Sequence, residues 1–330
     1  MRAFVCRNCG SALYFENSTC VTCGTALGFS RAERAIVPVD DRGRYIDADG
    51  YIWWVCRNLH LSGCTWLSRF EGGLCFSCEL TRTRPSDADV AGLSAFPVAE
   101  QAKRRLIVEL DALELPIITR ASDPSTGLAF DLLSSAHEKV TTGHHNGIIT
   151  IDLAESDSVY REQVRRRLAE PYRTMLGHFR HEIGHYYEAL LVQGPARDQA
   201  RELFGDERLD YGEAAERHYE QGPPAGWQSS YISSYATMHP FEDFAETFAH
   251  FLHISDTVDT AQAFGLTTVN PGAFRSFRDL VTGVWVPLSV ALNQINRAMG
   301  KDALYPFVIV APVLDKLDFV ASLTPHYDQL

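Results

Sequence analysis

All eight cysteines of this 330-residue chain lie between Cys6 and Cys78, and none follows. Six of them stand as Cys-x-x-Cys pairs: Cys6 with Cys9, Cys20 with Cys23, and Cys75 with Cys78. Such a knuckle turns two thiolates toward one ion, and two knuckles complete a tetrahedral four-sulfur site. The N-terminus, MRAFVCRNCG, has no apolar leader. The expectation is a cytoplasmic protein, in which close-set cysteines bind metal rather than pair as disulfides. Residues 1–80 therefore read as a small β module nucleated by two closed structural zinc sites.

The first site is Cys6, Cys9, Cys20 and Cys23, with Ala12–Asn17 as hairpin material between the knuckles. Gly10 and Gly24 directly follow the knuckles, where the tight turn favours a residue without Cβ. The second site is Cys56, Cys64, Cys75 and Cys78. Cys56 and Cys64 form no knuckle, and His60 between them could replace one of them. Trp53, Trp54, Trp66, Leu67 and Phe76 could pack a small core around that metal.

Charge separates this module from the rest. The formal charge is −12, and residues 1–80 carry eight basic and eight acidic side chains, so the whole excess falls on residues 81–330. An acidic body repels phosphate backbones, and the cysteine module has no basic stripe, so nucleic acid is not the expected partner. The longest apolar run, near Tyr305–Leu314, is too short to span a bilayer, so no membrane association is expected. A ribbon of this kind is better suited to docking a protein.

The polar stretch Thr81–Asp89 contains Pro85 and reads as a boundary. The expected organisation is a zinc-ribbon module over 1–80, a linker over 81–96 and a second domain over 97–330. In that domain Pro97–Glu114 reads as a helix, and Ile117–Thr119 and Leu128–Leu133 as short strands. The loop Gly143–Gly147 leads into a β-branched strand, Ile148–Leu153. Asp157 is placed to cap the next helix. Tyr172–Val192 is helical, as are Ala273–Leu280, Pro287–Met299 and Val313–Leu323. The fold class is α+β: a small β module, then a mainly helical domain with a small sheet.

The centre of the Tyr172–Val192 helix reads His181-Glu182-Ile183-Gly184-His185. On a helix, two histidines four residues apart share a face and can reach one ion, and Glu182 beside them can accept a proton from metal-bound water. A catalytic zinc needs a third protein ligand and an open position. Glu188 and Leu191 stand where a further Gly-x-x-His pattern would put its residues, so the ligand must come from elsewhere. The segment His239-Pro240-Phe241-Glu242-Asp243-Phe244-Ala245-Glu246 begins a buried helix with two carboxylates one turn apart. Buried carboxylates need a cation or strong hydrogen bonds. Glu242 on the metal with Glu246 bracing a zinc histidine meets that need. The converse assignment, and His239 as ligand, stay open. Asp243, His250 and His253 read as structural. Tyr235, seven residues before Glu242, is either an oxyanion donor or an aromatic packing residue by spacing alone.

These motifs resemble a family. HEIGHYY, GPPAGW and YISSYATMHPFEDFAETFAHFLHI, with CRNCG…ENSTCVTCGTALGF and CTWL…CFSCELTRTRP before them, are similar to bacterial zinc-binding metallopeptidases that carry an N-terminal zinc ribbon. The resemblance covers nearly the whole chain. The Glu242–Glu246 segment also resembles gluzincins of the anthrax lethal factor type. It implies a zincin-type domain with Glu242 on zinc, Glu246 behind a zinc histidine and Tyr235 as oxyanion donor. Phe241 departs from the Trp expected there, at a position that is not a ligand.

The expected function is hydrolysis of peptide bonds in a protein or peptide, with one catalytic and two structural zinc ions. His181, His185 and Glu242 hold the metal, Glu182 moves the proton, and Tyr235 meets the oxyanion. Ile148, Ile149, Thr150 and Ile151 are expected to pair with an extended substrate as an added strand. The alternative is a non-catalytic, zinc-stabilised binding protein that works through its ribbon.

Overall fold

The computed structural model describes residues 3–136, 138–167, 170–269 and 274–325. The chain divides into two compact units, one of residues 1–112 and 117–161, the other of residues 113–116 and 162–330.

In the first unit, β1 (Phe4–Val5) pairs antiparallel with β2 (Ala12–Leu13), and β3 (Leu27–Ser30) with β4 (Ala35–Pro38). β5 (Arg44–Ile46), β6 (Ile52–Val55) and β7 (Leu67–Ser68) form an antiparallel sheet in that order, with the one-turn helices α1 (Leu59–Ser62) and α2 (Phe76–Glu79) around it. Strands this short bury little, and a cluster of aromatic rings supplies the apolar centre. Phe29 lies 4.9 Å from both Phe15 and Trp66, ring centre to ring centre, and all three are buried. β8 (Thr81–Thr83) then starts a second sheet, followed by the long helix α3 (Val90–Ala112) and by β9 (Ala129–Leu133), β10 (Gly143–His145) and β11 (Ile148–Asp152). Their order is β10-β11-β9-β8.

The expected linker over 81–96 is not one. Its polar residues are used within structure. Arg82 reaches across from β8 to the Asp131 carboxylate on β9, and Asp89 accepts a hydrogen bond from the Gly92 amide at 2.8 Å, which caps α3. The helix therefore starts at Val90, and Pro97 lies inside it rather than at its first turn. Asp157 does cap α4 (Ser158–Arg167), accepting from the Val159 amide at 2.7 Å.

One polar network is sealed inside this unit. Glu100 and Lys103 of α3 are completely buried and pair at 2.7 Å. Lys103 also donates to the Thr81 hydroxyl, which donates to Glu100, and the Arg104 guanidinium lies 3.7 Å from the same carboxylate. Removing one partner of a buried pair strands the other charge, which costs far more than the pair itself contributes.

The second unit is helical. α5 (Met175–Leu191), α6 (Pro195–Phe204), α7 (Tyr211–Gln221) and α8 (Pro240–Ala263) are followed by α9 (Phe277–Leu280), a π-helical stretch Val281–Trp285, α10 (Val286–Ala298) and α11 (Ala311–Ser322). The expected helix Ala273–Leu280 is helical only from Phe277, and Ala273 lies outside the described residues. α8 is the hub: Phe244, Phe248, Phe251, Leu252 and Ile254 are all buried along it, between α5 on one side and α11 on the other. Among the described residues no helix is long and apolar enough to cross a membrane.

Glu100→Gln keeps the shape of the side chain but leaves the Lys103 ammonium buried without a counter-charge. Its expected cost is about 3–5 kcal/mol in urea unfolding. An unchanged midpoint would show that Lys103 finds another partner.

Candidate metal centres and active site

The two sets of cysteines assemble as the spacing predicts. In each set the four Sγ atoms lie within 4.8 Å of one another. Cys9 and Cys20 are 3.6 Å apart, Cys6 and Cys23 3.7 Å, and Cys64 and Cys75 3.5 Å. Sulfurs at tetrahedral positions about 2.3 Å from one zinc stand about 3.8 Å apart, whereas a disulfide is close to 2.05 Å. The distances fit a shared ion and exclude pairing, and all eight thiols are free. Gly10 and Gly24 have φ of 75° and 73°, the left-handed turn that their places after the knuckles implied. His60 is exposed, and the second group is four cysteines without it. Amides point at its sulfurs: the Cys75 N–H donates to Cys56 Sγ at 3.3 Å and the Asn58 N–H at 3.5 Å. Trp66 and Leu67 are buried beside this cluster, while Phe76 is covered by the Arg31 guanidinium, 3.6 Å from its ring centre.

The third group belongs to the helical unit. Thr174 caps α5 by accepting from the Gly177 amide at 2.9 Å. Two turns later His181 and His185 leave the helix on one face. Opposite them, Pro240 opens α8 with His239 as its cap: His239 Nδ1 accepts from the Phe241 amide at 3.1 Å, and its Nε2 faces the Leu209 carbonyl at 3.1 Å. Both nitrogens of His239 are thus occupied by backbone. Glu242 and Glu246 project from the same face of α8, onto the two nitrogens of a single imidazole. Glu246 Oε1 lies 2.8 Å from His181 Nδ1, and Glu242 Oε2 lies 3.0 Å from His181 Nε2 and 3.6 Å from His185 Nε2.

The helices come this close because of what stands between the ligating turns. A Cβ on Gly184 would sit 2.9 Å from the Cα of Ala245 and 3.2 Å from the Cβ of Phe248. Asp243, on the other side of α8, is bound to Lys316 of α11 at 2.6 Å, and His250 Nδ1 lies 2.7 Å from the Tyr305 hydroxyl. The structural reading of these two residues fits those contacts.

The electrostatics ask for a cation. Burial alone would lower the pKa of His181, but Glu242 and Glu246 outweigh it and hold the imidazole well above its ordinary value. Glu242 is correspondingly held well below the usual carboxylate range: burial opposes ionisation, and His181 and His185 overcome it. If Glu246 takes the proton on Nδ1, His181 Nε2 presents a lone pair to Glu242 Oε2. That oxygen is sealed from solvent and has no hydrogen bond of sound geometry among the described residues. Two lone pairs at 3.0 Å repel unless a positive ion or a proton lies with them. Three ligand atoms, two neutral nitrogens and a carboxylate oxygen, within 4.8 Å of one another suit zinc. Glu182 is buried beside them, and burial raises its pKa from the ordinary carboxylate value. Its Oε2 also has no partner among the described residues.

Tyr235 opens a short 3₁₀ turn that packs on α8, and its ring centre lies 5.8 Å from that of His181. Burial, then the Glu242 carboxylate, raise its pKa well above the usual phenol value, so it stays a proton donor. Tyr211, at the first turn of α7, was not anticipated. Its hydroxyl donates to Glu242 Oε1 at 2.8 Å and so fixes the oxygen that does not face the histidines. Asp210 followed by an acidic first turn marks the helix start in the sequence, but nothing local says that the tyrosine reaches across to α8.

The substrate strand requires a correction. Ile148–Thr150 are paired on one side with β10 and on the other with β9, and Ile149 and Ile151 are completely buried. β11 is an interior strand whose ladder is already occupied, so Ile148, Ile149 and Thr150 cannot take on a substrate as an added strand, and Ile151 spends its side chain in the core.

With this geometry in place, comparison with known proteins is informative. Residues 92–323 match the family model described as "Putative zinc-binding metallo-peptidase", and residues 3–89 match a zinc-ribbon domain. The chain belongs to this metallo-peptidase family. Uncharacterized proteins of Mycobacterium bovis and Mycobacterium tuberculosis are 55% identical to it over 336 residues, covering 98% of this chain and 95% of theirs. No solved structure gives a significant match. Both descriptions name zinc, in keeping with the two four-cysteine groups.

Gly184→Ala tests the close approach. The added methyl must push α5 from α8 at a backbone contact, with an expected loss of about 1–3 kcal/mol in thermal unfolding of the metal-free chain. Unchanged stability would mean that the helices are free to separate.

Proposed function

We propose that this chain is a zinc-dependent peptidase that hydrolyses peptide bonds of a protein or peptide. The observation that carries the reading is the pairing of an open His181–His185–Glu242 group with the buried carboxylate of Glu182 beside it. In this reading His181 Nε2, His185 Nε2 and Glu242 Oε2 hold zinc, which supplies a Lewis acid to polarise the scissile carbonyl and acidify water. Glu182 accepts the proton of the attacking water and passes it to the leaving amine. Its raised pKa brings its basicity nearer to neutral pH, where such a group works in both directions. The protonated Tyr235 hydroxyl donates to the developing oxyanion. Glu246 accepts the Nδ1 proton of His181, which fixes the tautomer that leaves Nε2 free to bind metal. Tyr211 holds Glu242 so that one oxygen faces the histidines.

The two cysteine clusters hold one structural zinc each, for three zinc ions per chain, in a reducing compartment such as the cytoplasm. The ribbon offers a protein partner an exposed aromatic and cationic face. Tyr51 and Phe70 are exposed, and the Arg69 guanidinium stacks 4.2 Å from the Tyr51 ring centre and 4.8 Å from that of Trp53. Tyr, Trp and Arg are the residues that carry most binding energy at protein interfaces.

Glu182→Gln is expected to lower turnover of a peptide library roughly a thousandfold while zinc, measured by elemental mass spectrometry, stays at three per chain. Cys20→Ser is expected to lose one zinc and retain cleavage. A Glu182→Gln protein that still cleaves would sink the mechanism. A wild-type chain that holds three zinc ions and cleaves nothing would leave the ribbon-binding role instead.

A further inference from the structure

We propose that Glu188 selects the substrate by charge, pairing with a cationic nitrogen, an ammonium or guanidinium, presented next to the scissile bond. The proposal rests on the peptidase reading of the same site. Glu188 stands three residues after His185 and seven after His181, so at about 100° per residue all three leave α5 within an arc of roughly 60°. It therefore faces the same space as the ligating histidines, one turn further along.

Its neighbours do not neutralise it. Glu207 is committed to Arg201, with contacts of 2.9 and 2.6 Å. Glu242 is committed to Tyr211 and the two histidines. Glu188 is half-buried; its Oε2 is shielded from solvent without a hydrogen-bond partner among the described residues, and no lysine or arginine is among the groups that act on its carboxylate. Burial, with Glu242 and Glu207 nearby, pushes its pKa well above the carboxylate range. A carboxyl in such a place either keeps a proton or waits for a cation. The active-site face of α5 already carries acid, and the excess negative charge of the chain falls on residues 81–330, so the long-range field favours the arrival of a cation.

The nitrogen could come from a lysine or arginine side chain beside the cleaved bond, or from a free α-amino terminus. Fluorogenic peptides separate the two. One set is N-acetylated, with Lys, norleucine or Glu in turn at each position flanking the bond. The other is neutral in its side chains, with a free or an acetylated N-terminus. With the zinc-loaded wild-type chain, kcat/KM is expected to favour Lys over norleucine, or the free over the acetylated terminus, at least tenfold, with the difference in KM. In Glu188→Gln that ratio should fall to below threefold, and in Glu188→Lys it should invert toward the Glu peptide. A ratio that survives in Glu188→Gln overturns the proposal, as does a uniform loss on all peptides.

If the wild-type chain cleaves none of them, the peptidase reading fails and binding decides the charge proposal. Fluorescence anisotropy with the zinc-loaded Glu182→Gln chain should give a tenfold lower Kd for a cationic peptide than for its neutral partner. That difference should vanish in the Glu182→Gln, Glu188→Gln double variant. Equal Kd values for both peptides in the Glu182→Gln chain overturn the proposal.

Discussion

The contact between Gly184 and Ala245 sets how α5 and α8 meet in the helical unit. Both positions are small, and each falls between two of the clustered residues: Gly184 between His181 and His185, directly before the latter, and Ala245 between Glu242 and Glu246, directly before the latter. That placement lets Glu242 reach both Nε2 atoms while Glu246 reaches the Nδ1 of His181. A larger residue at either point would hold α8 away from α5, and the carboxylates would meet the histidines through water. The Gly within the motif is thus a packing requirement as much as a matter of helix propensity, since glycine inside a helix otherwise costs stability.

The close approach has an electrostatic consequence. Three carboxyl groups, Glu182, Glu242 and Glu246, stand around two imidazoles, with Glu188 beyond them near Glu242, and their surroundings drive them apart in acidity. Glu242 is buried and Glu246 half-buried, but both face imidazole nitrogens, which hold them ionised. Glu182 is buried with only partial compensation from the histidines, Glu188 is half-buried beside Glu242 and Glu207 with none, and desolvation raises both. Divergent environments of this kind divide neighbouring acids into fixed charges and proton carriers. In the proposed function the ionised pair serves as ligand and orienting group, and Glu182 as the proton carrier.

What could be read in the sequence follows from the range of the interactions. The cysteine knuckles, Gly10, Gly24 and the His181–His185 pair depend on spacings of three or four residues, which local geometry enforces, and each stands as that spacing implied. Glu242 and Glu246 were legible as a buried acidic face, although their match to particular histidine nitrogens needed the helix crossing. Tyr211 was not legible as a partner of Glu242, because its contact depends on which side chain of a distant element stands opposite. Ile148–Ile151 misled for a related reason. The segment's β-branched residues mark a strand but not its place in the sheet, and pairing with β10 on one side and β9 on the other makes it an interior strand rather than an edge open to substrate. The polar stretch after Cys78 read as a linker because charged residues were counted as solvated, whereas Arg82 and Asp89 are bound within a sheet and a helix cap.

The boundary between ribbon and peptidase sequence is chemically closed. The metallo-peptidase family match starts at residue 92, inside α3, yet α3 belongs to the compact unit that holds both cysteine clusters. Its Glu100 lies 3.8 Å from Cys78 Sγ and is neutralised by Lys103, with Thr81 bridging them. A thiolate cluster of four cysteines carries more negative charge than one zinc ion balances, so an added carboxylate beside it is tolerable only with cations at hand. Lys103 and Arg104 supply them, from the same helix. The second cluster therefore depends on side chains from the sequence that follows it, and a ribbon cut away before α3 would lose the buried cations beside its own metal site.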